Sequence, residues 1–128
     1  MARLMIAEQD RACRSMMAEM LSEEGYSVTV TDSAADDLSG ILKKGTQVVL
    51  LGSEFDDLAA SELIPLIKQC NRNLTIILMS NEESQPVIRK IRAEGIFYHA
   101  LKPAKLEDTD EIRQAVRCAF ENVSHYAH

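Results

Sequence analysis

The sequence predicts an α/β fold, a doubly wound parallel sheet of five strands with five helices. Short apolar runs alternate along the 128-residue chain with longer amphipathic stretches, which is the pattern of repeated β-α-β units. Two of these runs, residues 48–51 and 74–79, are continuous, as in central strands that helices cover on both faces. A hydrophobic content of 46% suffices for one buried core in a chain of this length. We therefore expect a single domain over residues 1–123.

The first two strands are predicted at residues 3–7 and 26–31. The helix between them begins after Asp10, a residue type that caps helices, and ends at Gly25. Residues 26–31 alternate apolar and polar side chains, so this strand should lie at the half-exposed edge of the sheet. The inward stripe of the helix consists of Cys13, Met16, Met17, Met20 and Leu21.

The middle of the chain continues the alternation. A short helix should follow the second strand and end near Gly45, and an acidic loop is expected at residues 53–60 after the third strand. A further helix is predicted at residues 61–70. Pro65 removes a backbone donor from it, so its start is expected to shift to near Ile64.

The last third of the chain completes the fold. A helix at residues 86–94, a strand at 97–101 and a final helix at 108–122 are predicted, followed by a disordered tail at 124–128. Because crossovers between parallel strands are right-handed, five such strands favour the flavodoxin-like order 2-1-3-4-5.

Several of the predicted strands are followed directly by polar or small residues. In a parallel sheet the carboxyl ends of the strands share one edge, and ligands of this fold class bind there. The candidate site residues at this edge are Glu8, Gln9, Asp10, Gly52, Ser80, Lys102 and Pro103.

The order and spacing of these residues resemble a response-regulator receiver domain, from residue 4 to about residue 123. The acidic segment at residues 8–10 is similar to the family's cluster after the first strand, where adjacent aspartates hold magnesium. Ser80 stands at the family's Ser/Thr switch position, and Lys102 with Pro103 matches its Lys-Pro pair. The resemblance implies a signalling module of two-component (phosphorelay) systems, with a cis peptide bond before Pro103.

The sequence departs from the family at the positions that carry its chemistry. Gly52 stands where receivers have the phosphoacceptor aspartate, and the adjacent aspartates are replaced by Glu8 and Gln9. Phosphoryl transfer needs a nucleophilic oxygen and a divalent cation that neutralises the transferred group. We therefore expect a pseudo-receiver that is not an enzyme, with no catalytic residue, no cofactor and weak or absent magnesium binding. His99 replaces the aromatic residue of the family's switch position, which argues against a phosphate-driven switch.

The sequence is also compatible with two other functions. A displaced carboxylate such as Asp56 would make the domain a phosphorylated receiver, whereas space beside Gly52 would suit a flavodoxin-like domain that binds a small ligand. Lys102 could form an ion pair with Glu8 or Glu54. Because exposed ion pairs contribute only about 0–1 kcal/mol, we expect a half-solvated lysine instead.

The charge pattern favours a protein partner. The net charge is −6, and Lys and Arg cluster only in pairs, which argues against nucleic acid and anionic membrane surfaces as partners. The resemblance implies that a histidine kinase, another regulator or an effector domain docks on the face made by the fourth helix, the fifth strand and the fifth helix, and homodimerisation through the same surface is a further expectation. The candidate contact residues on this face are Arg89, Arg92 and Arg113. Three widely spaced cysteines and the absence of a long apolar run predict a reduced, cytoplasmic protein.

Overall fold

The computed structural model describes residues 2–33, 45–52, 54–55, 58–81, 89, 92–93, 95–103 and 105–126. In chain order, the elements are β1 (Arg3–Ala7), α1 (Arg11–Glu23), β2 (Ser27–Thr31), β3 (Val48–Gly52), β4 (Glu54–Phe55), β5 (Leu58–Ala59), α2 (Ala60–Cys70), β6 (Thr75–Ser80), β7 (Tyr98–Leu101), a 3-10 helix (Leu106–Thr109) and α3 (Asp110–Tyr126).

Five parallel strands form one sheet in the order β2-β1-β3-β6-β7, which confirms the predicted sheet and its strand order. The central strands β3 and β6 are buried along their whole length, as their continuous apolar sequences predict. The edge strand β2 is partly exposed, in agreement with its alternating sequence.

Two hydrophobic cores lie on the two faces of the sheet. Successive side chains of a strand point to opposite faces, so Leu4 and Ile6 of β1 pack with α1 and α3, whereas Met5 and Ala7 pack with α2. Burying a Leu or Ile side chain contributes about 1.5–3 kcal/mol. The two cores therefore hold the carboxyl ends of β1, β3, β6 and β7 at one common edge.

Helix α1 begins and ends where the sequence predicts. The Asp10 side chain accepts hydrogen bonds from the backbone N–H groups of Ala12 at 3.0 Å and Cys13 at 3.2 Å, which caps the helix. Gly25 follows its last turn with a φ of 97°, a conformation that favours glycine. The cap matters for the site because it fixes the direction in which the Asp10 carboxylate points.

Helix α2 begins at Ala60, so the expected shift of its start to near Ile64 is wrong. Leu63 and Ile64 are fully buried, and their burial favours a helix that already includes them. Pro65 lies inside the helix on an exposed side, and its missing N–H leaves one carbonyl of the first turn without a helical partner.

The C-terminal helix differs from the prediction at both ends. A 3-10 turn precedes α3, and α3 continues to Tyr126, so its last three residues lie in the segment expected to be disordered. Residues 123–126 contain neither Gly nor Pro, so nothing in the sequence stops the helix there.

The described residues form three α-helices, where the sequence predicts five. One of the others falls on residues 34–44, which lie outside the described residues. The other, at 86–94, is described only at Arg89, Arg92 and Ala93, all of them helical. None of the helices in the described part of the chain is both long and apolar enough to cross a membrane.

A short antiparallel hairpin occupies part of the segment expected to be an acidic loop. Phe55 of β4 pairs with Leu58 of β5, and Glu54 pairs with Ala59. The two residues between the paired positions in the sequence, Asp56 and Asp57, are not one of the glycine-containing pairs that signal a hairpin, so the pairing was not predicted. The hairpin connects the end of β3 to the start of α2.

Candidate functional site

The carboxyl ends of four strands bring most of the predicted site residues to one edge of the sheet. Glu8 and Asp10 follow β1, Gly52 ends β3, Ser80 ends β6 and Lys102 follows β7. Glu8 is only 3% exposed, which is unusual for a carboxylate and implies that its charge is balanced nearby.

Lys102 lies between two carboxylates. Its Nζ is 2.9 Å from Oε1 of Glu8 and 3.0 Å from Oδ2 of Asp10, and 26% of its side chain is exposed. Burial by itself lowers the pKa of Lys102, but the hydrogen bonds and charges of Glu8 and Asp10 outweigh it and raise the pKa to about 12. The expectation of a half-solvated lysine is therefore wrong, because Glu8 and Asp10 both lie within ion-pair distance of the Lys102 ammonium.

Gly52 makes room for the Glu8 carboxylate. A Cβ atom built on Gly52 would overlap Oε2 of Glu8 and would lie 2.8 Å from Cδ of the same side chain. Gly52 is not among the glycines with positive φ, so its backbone conformation does not require glycine. What requires it is the close approach of Glu8. The space expected beside Gly52 for a small ligand is taken up by this carboxylate.

Asp10 has two structural roles at once. One oxygen caps α1 and the other binds Lys102. The hydrogen bond from Lys102 and the backbone N–H of Cys13 hold the pKa of Asp10 below its usual value. Neighbouring Cys13 is buried, and burial, followed by the negative charge of Glu8, raises the pKa of its thiol to about 11.

Arg14 fixes the backbone on which Glu8 stands. Its Nη1 donates to the carbonyl oxygens of Glu8 at 2.8 Å and Gln9 at 3.3 Å. The Glu8 N–H donates to the carbonyl of Thr31 at 3.0 Å. Sequence reasoning missed this contact, because a side chain that binds backbone carbonyls of the preceding segment leaves no pattern in the sequence.

Ser80 and His99 are hydrogen-bonded to each other. The distance between Oγ of Ser80 and Nε2 of His99 is 2.7 Å, and the tautomer of the imidazole decides which group donates. Ser80 is buried and His99 is half-buried, on neighbouring strands β6 and β7. The two residues at the predicted switch positions thus form one polar contact beside the site.

Residues 4–117 match the family model described as the response regulator receiver domain. The chain belongs to this family. It is 24% identical over 120 residues to the transcriptional regulatory protein GlrR of Escherichia coli (strain K12), which covers 94% of this chain and 26% of that protein. It is 29% identical over 132 residues to the two-component response regulator ARR5 of Arabidopsis thaliana, covering 88% of this chain and 71% of ARR5.

Solved receiver structures have the same fold. The beryllofluoride-activated NtrC4 receiver domain dimer superposes with a TM-score of 0.86 at 20% sequence identity, covering 95% of this chain and 98% of that one. A receiver domain protein from Clostridium thermocellum superposes with a TM-score of 0.85 at 16% identity, covering 98% and 99%. This receiver chain spans about a quarter of the length of GlrR, at 26%.

The peptide bond between Lys102 and Pro103 in this receiver is trans, so the expected cis bond is wrong. A bond that precedes proline still favours trans by about 0.5–1 kcal/mol unless its surroundings select the other isomer. Lys102 reaches Glu8 and Asp10 from the trans backbone.

The arginines assigned to the predicted partner face are Arg89, Arg92 and, in α3, Arg113. Arg89 and Arg92 are exposed, and the charge of Arg92 acts on Tyr98 of β7. Arg113 forms an ion pair with Glu24, which follows α1, and its Nε is 3.6 Å from Oε1 of that carboxylate. The face of β7 and α3 also contains a cleft of about 500 Å³, lined by Phe97, Tyr98, Glu111, Gln114, Ala115 and Cys118.

Glu111 of α3 clamps β7 on this face. Its Oε1 accepts a hydrogen bond from the Leu101 N–H, and its Oε2 accepts one from the Tyr98 hydroxyl, both at 3.0 Å. The hydrogen bond and burial raise the pKa of the Tyr98 hydroxyl. No part of this clamp was predicted, because a side chain that binds a strand's outer edge leaves no periodic pattern in the sequence.

The receiver pocket fits an ammonium group better than a magnesium ion. Magnesium prefers several oxygen ligands in octahedral geometry. Here Glu8 and Asp10 both bind the Lys102 ammonium, whose charge would oppose a second cation between them. Among the described residues, no three His, Cys, Asp or Glu side chains are grouped so that they could hold a metal ion. Asp56, the alternative acceptor, lies outside the described residues.

Proposed function

We propose that this receiver domain acts in two-component signalling without accepting a phosphoryl group, by binding a protein partner. The observation that carries the proposal is the position of the Glu8 carboxylate, which fills the space that any side chain at residue 52 would need. Membership of the receiver family supports the signalling role.

The chemistry of phosphoryl transfer supports the same conclusion. Transfer requires a nucleophilic oxygen in line with the donor and a cation that neutralises the transferred group. Gly52 has no side-chain oxygen, and Glu8 is buried with one of its oxygens bound to Lys102. The domain would therefore have neither the acceptor nor the metal, and no catalytic turnover of its own.

The partner would dock on the face that β7, α3 and the helical residues Arg89 and Arg92 form together. Phe97, Tyr98 and Leu101 are exposed there, beside the carboxylate of Glu111. Aromatic residues and arginine are enriched in protein interfaces. A histidine kinase, another regulator or an effector domain are the partner classes we propose. A second copy is a further candidate, and the NtrC4 receiver domain is itself described as a dimer.

The compartment we propose is the cytoplasm. Cys13, Cys70 and Cys118 are all free cysteines. Free thiols suit a reducing compartment, where disulfides are rare.

The test is incubation with acetyl phosphate and magnesium, read by intact mass. We expect no phosphate adduct, while a receiver with an intact acceptor aspartate, treated in the same tube, gains one. A stoichiometric adduct on this chain would overturn the proposal. If Asp56→Asn then abolished that adduct, the displaced carboxylate would be the acceptor.

A further inference from the structure

We infer that Glu8 is a permanent internal ligand of the receiver pocket, which fixes Lys102 and, through the end of β7, holds the partner face in one conformation. The inference rests on the proposed function, since a pocket that bound a phosphoryl group would need this space. Glu8 is then a positioning residue for Lys102 and the partner face, which is a role beyond the loss of the acceptor.

The Glu8 carboxylate is held from its own backbone. The Glu8 N–H binds the Thr31 carbonyl at 3.0 Å, and its carbonyl oxygen accepts a hydrogen bond from Arg14 at 2.8 Å. Both contacts fix the point from which the side chain starts. A buried side chain on a fixed backbone has few rotamers available. The Glu8 carboxylate is therefore preorganised for its contact with Lys102.

Gly52 and Lys102 complete the enclosure of this carboxylate. The missing side chain at Gly52 leaves the space for Oε2, and Lys102 binds Oε1 at 2.9 Å. The charge-assisted contact is strong because Glu8 is removed from water. In effect the carboxylate that the third strand lacks is supplied from the end of the first strand.

Lys102 passes this constraint to the partner face through adjacent residues. The Lys102 N–H donates to the Ser80 carbonyl at 3.1 Å, and the preceding Leu101 N–H donates to Glu111 at 3.0 Å. Glu111 also accepts the hydrogen bond from Tyr98. The end of β7 is therefore held on the pocket side by Glu8 and on the face side by Glu111.

The test compares Glu8→Ala with Glu19→Ala, which makes the same charge change at an exposed position of α1. Amide hydrogen exchange measured by NMR reports each hydrogen bond separately. We expect the Leu101 and Lys102 amides to exchange about tenfold faster in the Glu8 variant, because a hydrogen-bonded charge pair has been removed. The Ile77 amide of the central strand serves as the reference for global unfolding, and its exchange should change less.

Chemical rescue sharpens the test. Glu8→Ala leaves a void beside Gly52 and the Lys102 ammonium, into which formate fits. Sodium formate should slow the exchange of the Leu101 amide in this variant, whereas sodium chloride of equal ionic strength should not, and neither salt should change the wild type. Should Glu8→Ala fail to fold, Glu8→Gln keeps the shape without the charge, and a smaller increase in exchange at Leu101 and Lys102 is expected, because the amide oxygen can still accept a hydrogen bond from Lys102.

Two results would overturn the inference. One is equal exchange of the Leu101 amide in the Glu8 and Glu19 variants. The other is an increase at Leu101 that is matched at Ile77, which would mean a general loss of stability. A phosphate adduct on the wild type would count against the proposed function instead, so the two failures are distinguishable.

Discussion

The residue type at position 52 and the position of the Glu8 side chain depend on each other. A side chain at residue 52 would displace Oε2 of Glu8, and Glu8 cannot retreat without losing Lys102 or entering the packed core around it. A carboxylate and a glycine at the carboxyl ends of neighbouring strands thus form one packing unit, so the effects of substituting them depend on each other.

Gly52→Ala tests this dependence. We expect it to lower the free energy of unfolding by about 1–3 kcal/mol, because the methyl group forces Glu8 out of its site. In a Glu8→Ala background the same change should cost less than about 1 kcal/mol, since the space is then empty. Urea unfolding of the wild type, both single variants and the double variant measures the coupling. Strict additivity of the two substitutions would contradict the packing of Glu8 against Gly52.

Cys13 makes the free energy of unfolding depend on pH in alkaline solution. Its pKa is raised from 9.0 to about 11 in the folded protein. Between these values the unfolded chain loses the thiol proton while the folded chain keeps it, so the free energy of unfolding falls as the pH rises. The loss is at most about 1.4 kcal/mol per pH unit, and the contribution of this group is unchanged below pH 9.

Cys13→Ala should make the fall between pH 9 and 11 shallower. Urea unfolding at several pH values under reducing conditions measures the slope, and Cys118→Ala, at an exposed thiol, is the matched control. The alanine variant is less stable throughout because it loses packing, so the slope rather than the absolute value is compared. Identical slopes for wild type and Cys13→Ala would contradict the raised pKa of the Cys13 thiol.

Among the elements, α2 shows how burial outweighs a local preference. Pro65 interrupts the hydrogen-bond ladder near the start of the helix, yet the helix extends from Ala60 because Leu63 and Ile64 are fully buried. Sequence reasoning weighed the proline without the contacts that offset it. The strands were easier to predict, because continuous apolar runs are typical of buried parallel strands whatever their neighbours.

Pro65→Ala should stabilise the domain by about 1–2 kcal/mol. The substitution restores an N–H that can bind the Ser61 carbonyl, and this gain exceeds the smaller loss from a more flexible unfolded chain. Thermal and urea unfolding measure the effect, and Gln69→Ala on an exposed side of the same helix is the control. A lower stability for Pro65→Ala would mean that the proline packs against a neighbour or restrains the unfolded state more than we infer.

At the scale of the whole molecule, the strand order followed from the sequence, and so did the common edge of the sheet at which the strand-end residues meet. The residues at the strand ends could be listed because parallel strands share one edge. The contacts between these residues could not be predicted. Glu8 meets Gly52 across 44 positions of the sequence, and Glu111 meets Leu101 across 10. Such pairs are set by tertiary packing, and neither composition nor periodicity encodes them.

Magnesium response is a property of the whole pocket. We expect the melting temperature of the wild type to stay the same in about 10 mM magnesium, whereas a site of about 1 mM affinity would add about 1.4 kcal/mol and about 5 °C. The triple variant Glu8→Asp, Gln9→Asp, Gly52→Asp should gain such a shift, because the shorter carboxylate leaves room at residue 52. Chelation with EDTA should reverse it.

Gln9→Asp with Gly52→Asp, leaving Glu8 in place, is the matched control for this experiment. It adds the same two carboxylates but keeps the side chain that blocks residue 52, so we expect little or no magnesium shift. An equal gain in the double and triple variants would show that Glu8 moves aside freely.

The carboxylate of Glu111 also has a protective consequence. As the last strand of the sheet, β7 turns one row of backbone groups outward, and such a row can template the addition of a strand from another chain. Glu111 already binds the Leu101 N–H in that row and sets a negative charge beside it. An incoming strand would have to displace this charge. The contact therefore disfavours aggregation through the β7 edge at high protein concentration.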